Sequence, residues 1–537
     1  MAEKDTWRLS RRQFITAAGG VTAASILAAC APATQPAAPA EAPAATQAPA
    51  ATQAPAVVKA GPSGKIIYGN AEPPTEANWF DQNHFGLVDM QVASLVQDRL
   101  MEFDENSKIV PRLATDWNWV DESTLEINLR PGVKFHDGTP VTAADVKASI
   151  ELVANDPKIA FNALWAPVKV DVLSDAKFRL TATPPFGPML GSLAVLSIYP
   201  KRFTENTDLF NTQNIGAGPY RFVDYKNNIV TLEANEAYWD GAPAVKNILF
   251  QYIEDWNART NAVLAGDVDI ITRCSAEQLD AVKGNANFFV YDKNSPAIGV
   301  VQIWQHNNKA IANKDVRQAM YFAIDRKTIL DSIMRGLGKL GQSVLPTATL
   351  YYKDLDDRYA FSPDKAKAAL DKSGFKDITF KMSTSTLVPH QKEIDQAIAQ
   401  YLSDVGINTT IDSLEVGQFR TTYPQYDLSL NTFGTPAIDP DFILGVYAGP
   451  VGDAVFHLSS NPDIQPFPDL HNKQRQQTDP AKREAAVTDA ATWLWDFAPT
   501  LALSDELWPA VVNARVENFN RNRTWGESLV RKATLKG

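Results

Sequence analysis

The segment that decides the fold reads LRPGVKFHDGTPVTAADV at positions 129–146. Just before it, residues 124–129 alternate polar and apolar side chains, which is the pattern of a half-buried β-strand. Arg-Pro-Gly at 130–132 predicts a turn that ends this strand. Residues 133–136 are predicted to form a second short strand, and residues 137–140 the next turn.

A helix is predicted directly after these turns. Thr142 and Asp145 have the spacing of a capping box, with Asp in place of the usual Glu. Val146, Ile150 and Val153 then recur at helical intervals. The segment therefore runs in the order strand, turn and capped helix.

The segment belongs to a folded region that extends from about Gly64 to Gly537. Chains split into domains beyond roughly 250–300 residues, so two or three lobes are expected. The composition is that of a globular protein, with 45% hydrophobic and 21% charged residues. A net charge of −11 argues against a nucleic-acid partner or an anionic lipid surface.

Residues 1–30 have the features of a secretory signal peptide. The sequence SRRQFI contains Arg11 and Arg12 in a twin-arginine export signature. The apolar run that follows has 15 residues and is shorter than the roughly 20 that a membrane-spanning helix needs. It ends at Cys30, which resembles a lipobox cysteine whose thiol is lipidated. We therefore expect an exported protein with a lipid anchor on the outer face of the cytoplasmic membrane.

Residues 31–63 are rich in Ala, Pro, Thr and Gln, and the unit PAATQA occurs at 43–48 and again at 49–54. This composition lacks the large apolar groups that offset the entropy cost of ordering a chain. Frequent prolines stiffen it towards polyproline II, at about 3 Å per residue. We interpret the segment as a semi-rigid tether between the lipid anchor and the folded region.

The sequence contains no recognisable motif for a metal site, a cofactor or an enzyme. The histidines are scattered, and nucleophile elbows, phosphate loops and Cys-x-x-Cys pairs are absent. Cys274 follows an apolar strand-like run and is interpreted as a core residue. Asp439 and Asp441 have two interpretations: they form the acid/base pair of a hydrolase, or they belong to a turn. The same two interpretations apply to Asp121 and Glu122.

Several stretches together resemble the extracellular solute-binding proteins of family 5, which are the peptide/nickel-type substrate-binding subunits of ABC importers. In chain order these stretches are VPRLATDW (110–117), LRPGVKFHDGTPVTAADV (129–146), GAGPY (216–220), Asn235 with YWDG (238–241), DVRQA (315–319), AIDR (323–326), FSPDKAK (361–367) and LSDVGI (402–407). The resemblance covers essentially all of residues 64–537.

This resemblance implies the two-lobed α/β fold of the type II periplasmic binding proteins, with a hinge of crossing strands. Lobe I is expected over residues 64–297 and includes an inserted subdomain at about 101–215. Lobe II is expected over residues 298–500, and residues 501–537 return to lobe I. Closure of the hinge around a ligand is the transition that such proteins make.

The resemblance also implies a function. A small solute, in the first place a dipeptide or oligopeptide, is captured in the cleft and delivered to an ABC permease, and a separate ATPase drives transport. The chain is expected to be a monomer without cofactor, enzymatic activity or nucleic-acid partner. An oligosaccharide is the alternative ligand, and nickel or heme stays open. A secreted hydrolase and a structural surface protein are alternatives from other classes.

One group of candidate ligand contacts follows from a family loop. Peptide-binding members carry a Trp-x-Gly-Asp-type loop before Asp-Pro-Asp, and its carboxylate pairs with the ammonium terminus of the peptide. By spacing from Asp439, Phe433 matches the Trp of this loop, and Thr435 lies within it. The anchoring Asp then falls at Pro436, which carries no charge. Either Asp439 substitutes for it or the ligand lacks an ammonium group.

Aromatic residues form the other group of candidates. Trp79 and Phe80 lie in the loop after the first strand, where loops of the family face the cleft. Trp304 and His306 lie near the expected start of lobe II. Trp beside amides suits sugar rings, because flat apolar faces stack and amides bind hydroxyls. Core packing is the simpler interpretation of most tryptophans.

Two further motifs are interpreted as structural. Residues 136–138 (His-Asp-Gly) are expected to form a turn in which Gly138 supplies an unusual backbone angle. Arg317 and Arg326 lie beside aspartates on a predicted helix and are interpreted as members of surface ion pairs.

Overall fold

The structure is a computed structural model, and it describes residues 61–74, 79–83, 86–104, 107–159, 161–292, 294–434, 438–448, 458–520 and 529–536. The chain divides into two units, 1–59 and 60–537, and all described residues belong to the second. The signal peptide, Cys30 and the tether up to residue 60 lie outside the described residues, so these assignments stay predictions. Within the described part of the chain, no helix has the length and apolar character needed to span a bilayer.

The described chain alternates strands and helices. The strands are β1 (Ser63–Asn70), β2 (Met101–Phe103), β3 (Ile109–Pro111), β4 (Ala114–Asp121), β5 (Thr124–Leu129), β6 (Val168–Ser174), β7 (Lys177–Ala182), β8 (Tyr220–Lys226), β9 (Ile229–Ala234), β10 (Val245–Tyr252), β11 (Ile270–Ile271), β12 (Phe288–Tyr291), β13 (Asn294–Ile303), β14 (Lys339–Leu340), β15 (Thr379–Thr384), β16 (Asn408–Ser413), β17 (Leu428–Gly434), β18 (Thr500–Leu507), β19 (Ala510–Asn513), β20 (Val516–Glu517) and β21 (Thr534–Leu535). The α-helices are α1 (Leu87–Val96), α2 (Ala143–Ala154), α3 (Asn162–Trp165), α4 (Met189–Leu193), α5 (Lys201–Glu205), α6 (Trp256–Ala265), α7 (Ala276–Val282), α8 (Lys309–Ala312), α9 (Lys314–Ala323), α10 (Arg326–Thr328), α11 (Pro363–Ser373), α12 (Gln391–Ser403), α13 (Val416–Thr422), α14 (Asp441–Ala448), α15 (Phe467–Arg475) and α16 (Pro480–Phe497).

Three sheets organise these elements. A seven-stranded sheet has the order β12-β19-β11-β1-β10-β9-β8, and a six-stranded sheet has the order β14-β18-β13-β17-β15-β16. The four strands β4-β5-β7-β6 form an antiparallel sheet in a separate subdomain. Each sheet has its own core of buried apolar side chains. We call the seven-stranded sheet with the subdomain lobe I and the six-stranded sheet with its helices lobe II.

The chain crosses between the lobes twice. It leaves lobe I after β12 and enters lobe II at β13, and it returns between β18 and β19. The two crossing strands touch where Asn294 pairs with Leu507. The expected boundaries at 298 and 501 therefore shift, because β13 begins at Asn294 and all of β18 belongs to the sheet of lobe II.

The subdomain contains the segment on which the sequence analysis began. The predicted strand at 124–129 is β5, and the predicted helix is α2. The capping box is confirmed, because the Thr142 backbone N–H donates to Asp145 Oδ2 at 2.9 Å. The strand expected at 133–136 is reduced to one isolated bridge between Lys134 and Pro140. The two turns that flank it leave too few residues for a ladder.

The predicted turn at 136–138 is confirmed, and it joins two family motifs. Gly138 has φ of 89°, in the region that favours glycine. His136 Nε2 lies 3.0 Å from the Gly218 carbonyl, and burial lowers the pKa of His136 to about 4. At Gly216 and Gly218 a Cβ would overlap backbone atoms at the end of α1. These motifs therefore build a structural junction of lobe I.

The interpretation of Arg317 and Arg326 as surface ion pairs is wrong. Their exposed fractions are 0% and 5%, and both guanidinium groups bind backbone carbonyls. The neighbouring aspartates have other partners, since Asp315 pairs with Lys372 and Asp325 caps α10. In contrast, Cys274 is a buried core residue, as its sequence context predicts.

Candidate functional site

A cavity of about 480 Å³ lies between the two lobes. Its lobe I wall is formed by the first turns of α6 and α7, and its lobe II wall by residues 385–393. A smaller cavity of about 40 Å³ shares part of this lining and extends to Trp508 at the crossing. Ligand pockets commonly measure about 300–1,000 Å³. This interlobe cavity is the candidate ligand site.

The topology explains why the cavity forms here. The chain reaches the cavity where β11 of lobe I and β15 of lobe II end. The helices α7 and α12 begin at the same place. The carboxyl ends of strands are the usual place for ligands in open α/β sheets.

Lobe I contributes a preorganised polar wall. Ser275 and Gln278 form a capping box at the start of α7. The Gln278 amide also donates to Thr260 Oγ1 at 2.8 Å and to the Trp256 carbonyl at 3.1 Å. The Arg259 guanidinium lies over the Trp256 ring, 4.1 Å from its centroid. These contacts fix the Trp256 ring and the hydroxyl groups around it.

Lobe II contributes the loop that leads into α12. Gln391 Oε1 accepts a hydrogen bond from Ser385 Oγ at 2.9 Å, and Gln391 Nε2 donates to the Leu430 carbonyl at 3.1 Å. His390 has φ of 57°, which is uncommon for a residue other than glycine. Such strained positions concentrate at ligand sites.

A buried acid lies on α12 behind this loop. Asp395 is fully buried, and Thr384 and Gln391 are the polar side chains beside its carboxylate. Burial raises the pKa of Asp395 well above its usual range, and this outweighs the opposing effect of Thr384 and Gln391. The folded protein therefore favours the protonated acid at this position.

Asp395→Asn is expected to stabilise the protein at pH 8. The pKa of Asp395 is higher in the folded state than in the unfolded state, where it is about 3.9. Its contribution to the free energy of unfolding is therefore fully present below the unfolded-state pKa and is lost as the pH rises through the folded-state pKa. The loss amounts to at most about 1.4 kcal/mol per pH unit, and the Asn variant avoids it. Urea unfolding between pH 4 and pH 8 measures the difference. The exposed Glu393→Gln on the same helix is the control. Identical pH profiles for Asp395→Asn and wild type would contradict this account.

A cluster of charged and aromatic side chains lies at the crossing. Arg273 Nη1 contacts Glu72 Oε1 at 3.0 Å, and its guanidinium lies 4.2 Å from the centroid of the Trp508 ring. Glu506 accepts hydrogen bonds from Thr432 Oγ1 at 3.0 Å and from Trp508 Nε1 at 2.5 Å. Burial raises the pKa of Glu506, although the nearby Arg273 opposes this shift. Arg273 Nη2 of lobe I also donates to Thr432 Oγ1 of lobe II at 3.4 Å, which joins the two lobes at the crossing.

Gly299 makes room for this cluster. It lies on β13, between Ser504 of β18 and Thr432 of β17. A Cβ at Gly299 would lie 2.8 Å from Glu506 Oε1. Because this position has no side chain, Glu506 can reach across the strand to Thr432.

The lobes contact each other directly across the cleft. Arg420 of lobe II pairs with Glu72 of lobe I at 3.3 Å. Glu277 of lobe I pairs with His390 Nε2 at 3.0 Å and with Arg335 at 3.3 Å. Burial raises the pKa of Glu277, but hydrogen bonds from its own backbone N–H and from Ser275, together with the nearby His390 and Arg335, lower it to about 2. The structure is thus closed around the cavity.

A second contact joins lobe II to the subdomain. Ile438 is fully buried and packs in the subdomain core. The rings of Phe161 and Phe442 lie 5.6 Å apart. The Gly187 backbone N–H donates to the Arg475 carbonyl at 2.7 Å. Lobe II is therefore closed on both parts of lobe I.

Gly187→Ala is expected to hold the subdomain and lobe II apart. The added Cβ would overlap the backbone carbonyl oxygen of Gln477, which cannot move aside cheaply. We expect a larger radius of gyration by small-angle X-ray scattering. Gly417→Ala is the matched control, because nothing lies within 4 Å of its added Cβ. Equal radii for the two variants would show that this contact does not limit closure.

The structure moves several predicted ligand contacts away from the cavity. Phe80 is 7% exposed and packs between Tyr199 and Phe210 in the subdomain core, so it offers little surface to a solute. Trp79 packs on Phe222 of β8, with ring centroids 4.5 Å apart. Trp304 is fully buried. The structure therefore corrects the assignment of Phe80 and Trp304 as ligand contacts.

His306 is exposed, but it follows the end of β13 that is remote from the crossing. With ten residues, this strand spans roughly 30 Å. His306 does not line the cavity described above, and its role as a ligand contact stays a prediction. The backbone of Phe433 pairs with Ile298, near the crossing, and Thr435 lies outside the described residues.

Asp439 does not substitute for the missing anchor. It is 4% exposed and binds Arg483 through both oxygens, at 2.7 Å and 2.6 Å. Its Oδ1 also accepts from the Asp441 backbone N–H at 2.9 Å, as the turn interpretation predicts. Asp121 likewise accepts from the Ser123 backbone N–H at 2.7 Å. These carboxylates are structural in this arrangement.

Sequence reasoning missed the residues that line the cavity, such as Trp256, Glu277 and His390. The spacing of Ser275 and Gln278 is that of a capping box and could have predicted the start of α7. Nothing local indicates that this helix start faces residues 385–393, because more than 100 positions separate the two segments.

Comparison with known sequences gives a consistent assignment. The family described as bacterial extracellular solute-binding proteins, family 5 (Middle), matches residues 108–454. Heme-binding protein A of Haemophilus influenzae is 25% identical over 464 residues, which cover 79% of this chain and 84% of that protein. Oligopeptide-binding protein AppA of Bacillus subtilis is 25% identical over 421 residues, which cover 68% of this chain and 75% of that protein.

Solved structures support the same architecture. NikZ from Campylobacter jejuni, in complex with Ni(L-His), has a TM-score of 0.79 at 22% identity and covers 88% of this chain and 99% of its own. AppA from Bacillus subtilis, in complex with a nonapeptide, has a TM-score of 0.78 at 20% identity and covers 89% of this chain and 100% of its own. The predicted two-lobed type II binding-protein fold is confirmed.

Proposed function

Because the chain belongs to family 5 of the bacterial extracellular solute-binding proteins, we propose that it captures a small solute in the interlobe cavity for an ABC importer. The observation that carries this proposal is the cavity itself, which both lobes enclose beside two crossing strands. A ligand that touches both walls binds the closed state more tightly than the open one and shifts the population accordingly. A permease then recognises the closed form, and a separate ATPase supplies the energy.

Peptides are the first ligand class to test, because relatives named for oligopeptides and D,D-dipeptides are similar along most of the chain. Oligosaccharides are the second class, since Trp256 lies among hydroxyl and amide groups. Relatives named for heme and nickel add these ligands to the panel. Within the described residues, no group of three metal-ligating side chains is present.

A thermal-shift screen of the purified protein tests the proposal. At a ligand concentration about 100 times the dissociation constant, binding stabilises the folded state by about 2.7 kcal/mol. Thr386→Trp, which places a large side chain in the cavity, is expected to abolish the thermal shift that the ligand causes. Thr421→Trp, at an exposed position of α13, is the control. Turnover of the solute would instead indicate a hydrolase, and the absence of a shift with every class would contradict the proposal.

We propose further that the exported protein is a monomer held at the outer face of the cytoplasmic membrane by a lipid on Cys30. The twin arginines and the Pro-rich tether support this location. Cys30→Ala is expected to move the protein from the membrane fraction to the soluble fraction, which immunoblotting measures. Retention of the variant on membranes would exclude the lipid as the anchor.

A further inference from the structure

Two residues of lobe II that reach across the cleft have an unusual backbone conformation. Arg335 has φ of 52° and His390 has φ of 57°, both in the left-handed region that favours glycine. Both side chains contact the same carboxylate of lobe I, since Arg335 Nη1 lies 3.3 Å from Glu277 Oε1 and His390 Nε2 lies 3.0 Å from Glu277 Oε2. Left-handed residues other than glycine concentrate at functional positions, and arginine adopts this region less often than histidine. The contact that Arg335 makes with lobe I therefore calls for a functional explanation.

The backbone of the loop that carries Arg335 is fixed on lobe II. The Gly336 backbone N–H donates to the Leu330 carbonyl at 3.0 Å. At Gly338 an added Cβ would lie 2.7 Å from the carbonyl oxygen of Asp505, so the loop packs directly on β18 beside the crossing. The loop thus presents the Arg335 side chain to lobe I from a backbone that is held in place.

Arg335 bridges two acids on the first turns of α7. Besides its contact with Glu277, its Nη2 donates to Asp280 Oδ2 at 2.6 Å. The two acids are three positions apart on one face of the helix, where like charges repel each other. A cation between them relieves this repulsion. Because α7 belongs to lobe I and Arg335 to lobe II, opening of the cleft separates the cation from both acids.

Arg335 makes this contact from outside the cavities. Among the described residues that line the larger cavity are Glu277 and His390, but Arg335 is not one of them. Its neighbours Met334 and Leu337 line the smaller cavity, whereas Arg335 does not. Its guanidinium group therefore contacts lobe I and leaves the space for the solute free.

We propose that Arg335 is a positioning residue for solute capture, which holds the lobes closed through Glu277 and Asp280 without touching the solute. This inference rests on the proposed function and assigns part of its closing step to a residue outside the cavity. When only the closed form binds tightly, the apparent affinity falls in proportion to the fraction of closed protein. Arg335 therefore raises the affinity for every solute that the cavity accepts.

Single-molecule fluorescence energy transfer tests the inference, because it measures the ratio of closed to open protein without a ligand. The dyes are attached at Lys246→Cys in lobe I and Lys376→Cys in lobe II, which are exposed positions. The protein is the full chain carrying Cys30→Ala, so that these two cysteines are the accessible ones.

Arg335→Gly is expected to lower the ratio of closed to open protein by about threefold. Raising NaCl from 0.05 to 1 M is expected to lower the ratio more in the wild type than in this variant, because salt screens exposed charges. The same variant is expected to keep or raise the melting temperature, since glycine adopts the left-handed angle without a Cβ clash. A merely structural role of Arg335 would instead lower the melting temperature and leave the ratio unchanged.

Asp280→Asn tests the same contact from lobe I. We expect it to lower the ratio in the same direction. In combination with Arg335→Gly it is expected to change the ratio little further, because two partners of one contact are energetically coupled. Fully additive effects of the two substitutions would overturn the inference.

Two controls separate the interlobe contact from its ingredients. Asn227→Gly changes another left-handed position, in the turn between β8 and β9 of lobe I. Lys327→Met removes an exposed cation of lobe II whose partner, Asp331, belongs to the same lobe. Both are expected to leave the ratio unchanged. An unchanged ratio in Arg335→Gly and in Asp280→Asn overturns the inference and leaves the proposed function intact, since that function is decided separately by the thermal-shift screen.

Discussion

Arg483→Met is expected to lower the free energy of unfolding by about 3–5 kcal/mol. Arg483 is 5% exposed and Asp439 is 4% exposed, and their two hydrogen bonds measure 2.7 Å and 2.6 Å. Removal of the guanidinium leaves a carboxylate buried without its counter-charge. It also removes the 3.3 Å hydrogen bond to the Gly187 carbonyl, which joins lobe II to the subdomain. Equilibrium urea unfolding measures the loss.

A double variant separates the two costs. Arg483→Met combined with Asp439→Leu removes both charges and is expected to recover most of the stability, because an apolar pair carries no desolvation cost. Arg335→Met is the matched single control, since its ion pairs with Glu277 and Asp280 are exposed and contribute little to stability. A loss below about 1 kcal/mol in Arg483→Met would refute the burial argument.

Arg317→Met is expected to destabilise the protein by at least about 3 kcal/mol. The Arg317 side chain has no exposed surface, and its guanidinium donates to four backbone carbonyls. These belong to Ala498, Ile311, Ala312 and Phe497. Each carbonyl that loses its donor stays buried and unsatisfied, which is the expensive outcome for a polar group. Thermal and urea unfolding report the loss.

Arg317→Lys tests whether charge or geometry matters. Lysine keeps the charge but offers three donors on one atom, so it cannot bridge the carbonyls of α8 and of the end of α16 as the planar fork does. We expect it to recover less than half of the loss. Lys372→Met, on the exposed surface opposite Asp315, is the control and is expected to change stability by less than about 1 kcal/mol. Full rescue by lysine would mean that the charge alone matters at this position.

The local parts of the fold could be predicted from the sequence because their causes are local. The alternation at 124–129 produces β5, and the Thr142–Asp145 pair begins α2. Motif order identified the family, and with it two lobes and crossing strands. The turn at 136–138 followed from its glycine.

The candidate site could not be predicted in the same way, because long-range packing decides it. Trp256 and Trp304 have similar polar neighbours in sequence, yet one lines the cavity and the other is fully buried. From the sequence alone, Asp439 is a candidate to bind the ammonium group of a ligand. The fold instead places Arg483, 44 residues further along the chain, beside it. Arg317 likewise lies close to an aspartate in sequence, but two of its four carbonyl partners, Phe497 and Ala498, lie about 180 residues further along the chain.

The position of Ile438 in the subdomain core has a consequence for temperature. Opening the cleft must withdraw this fully buried side chain, and the Phe442 ring beside Phe161, from apolar surroundings. Exposure of apolar surface to water raises the heat capacity, so opening has a positive heat-capacity change. Near room temperature the attraction between apolar groups is entropic and weakens on cooling. The ligand-free protein therefore opens more readily in the cold.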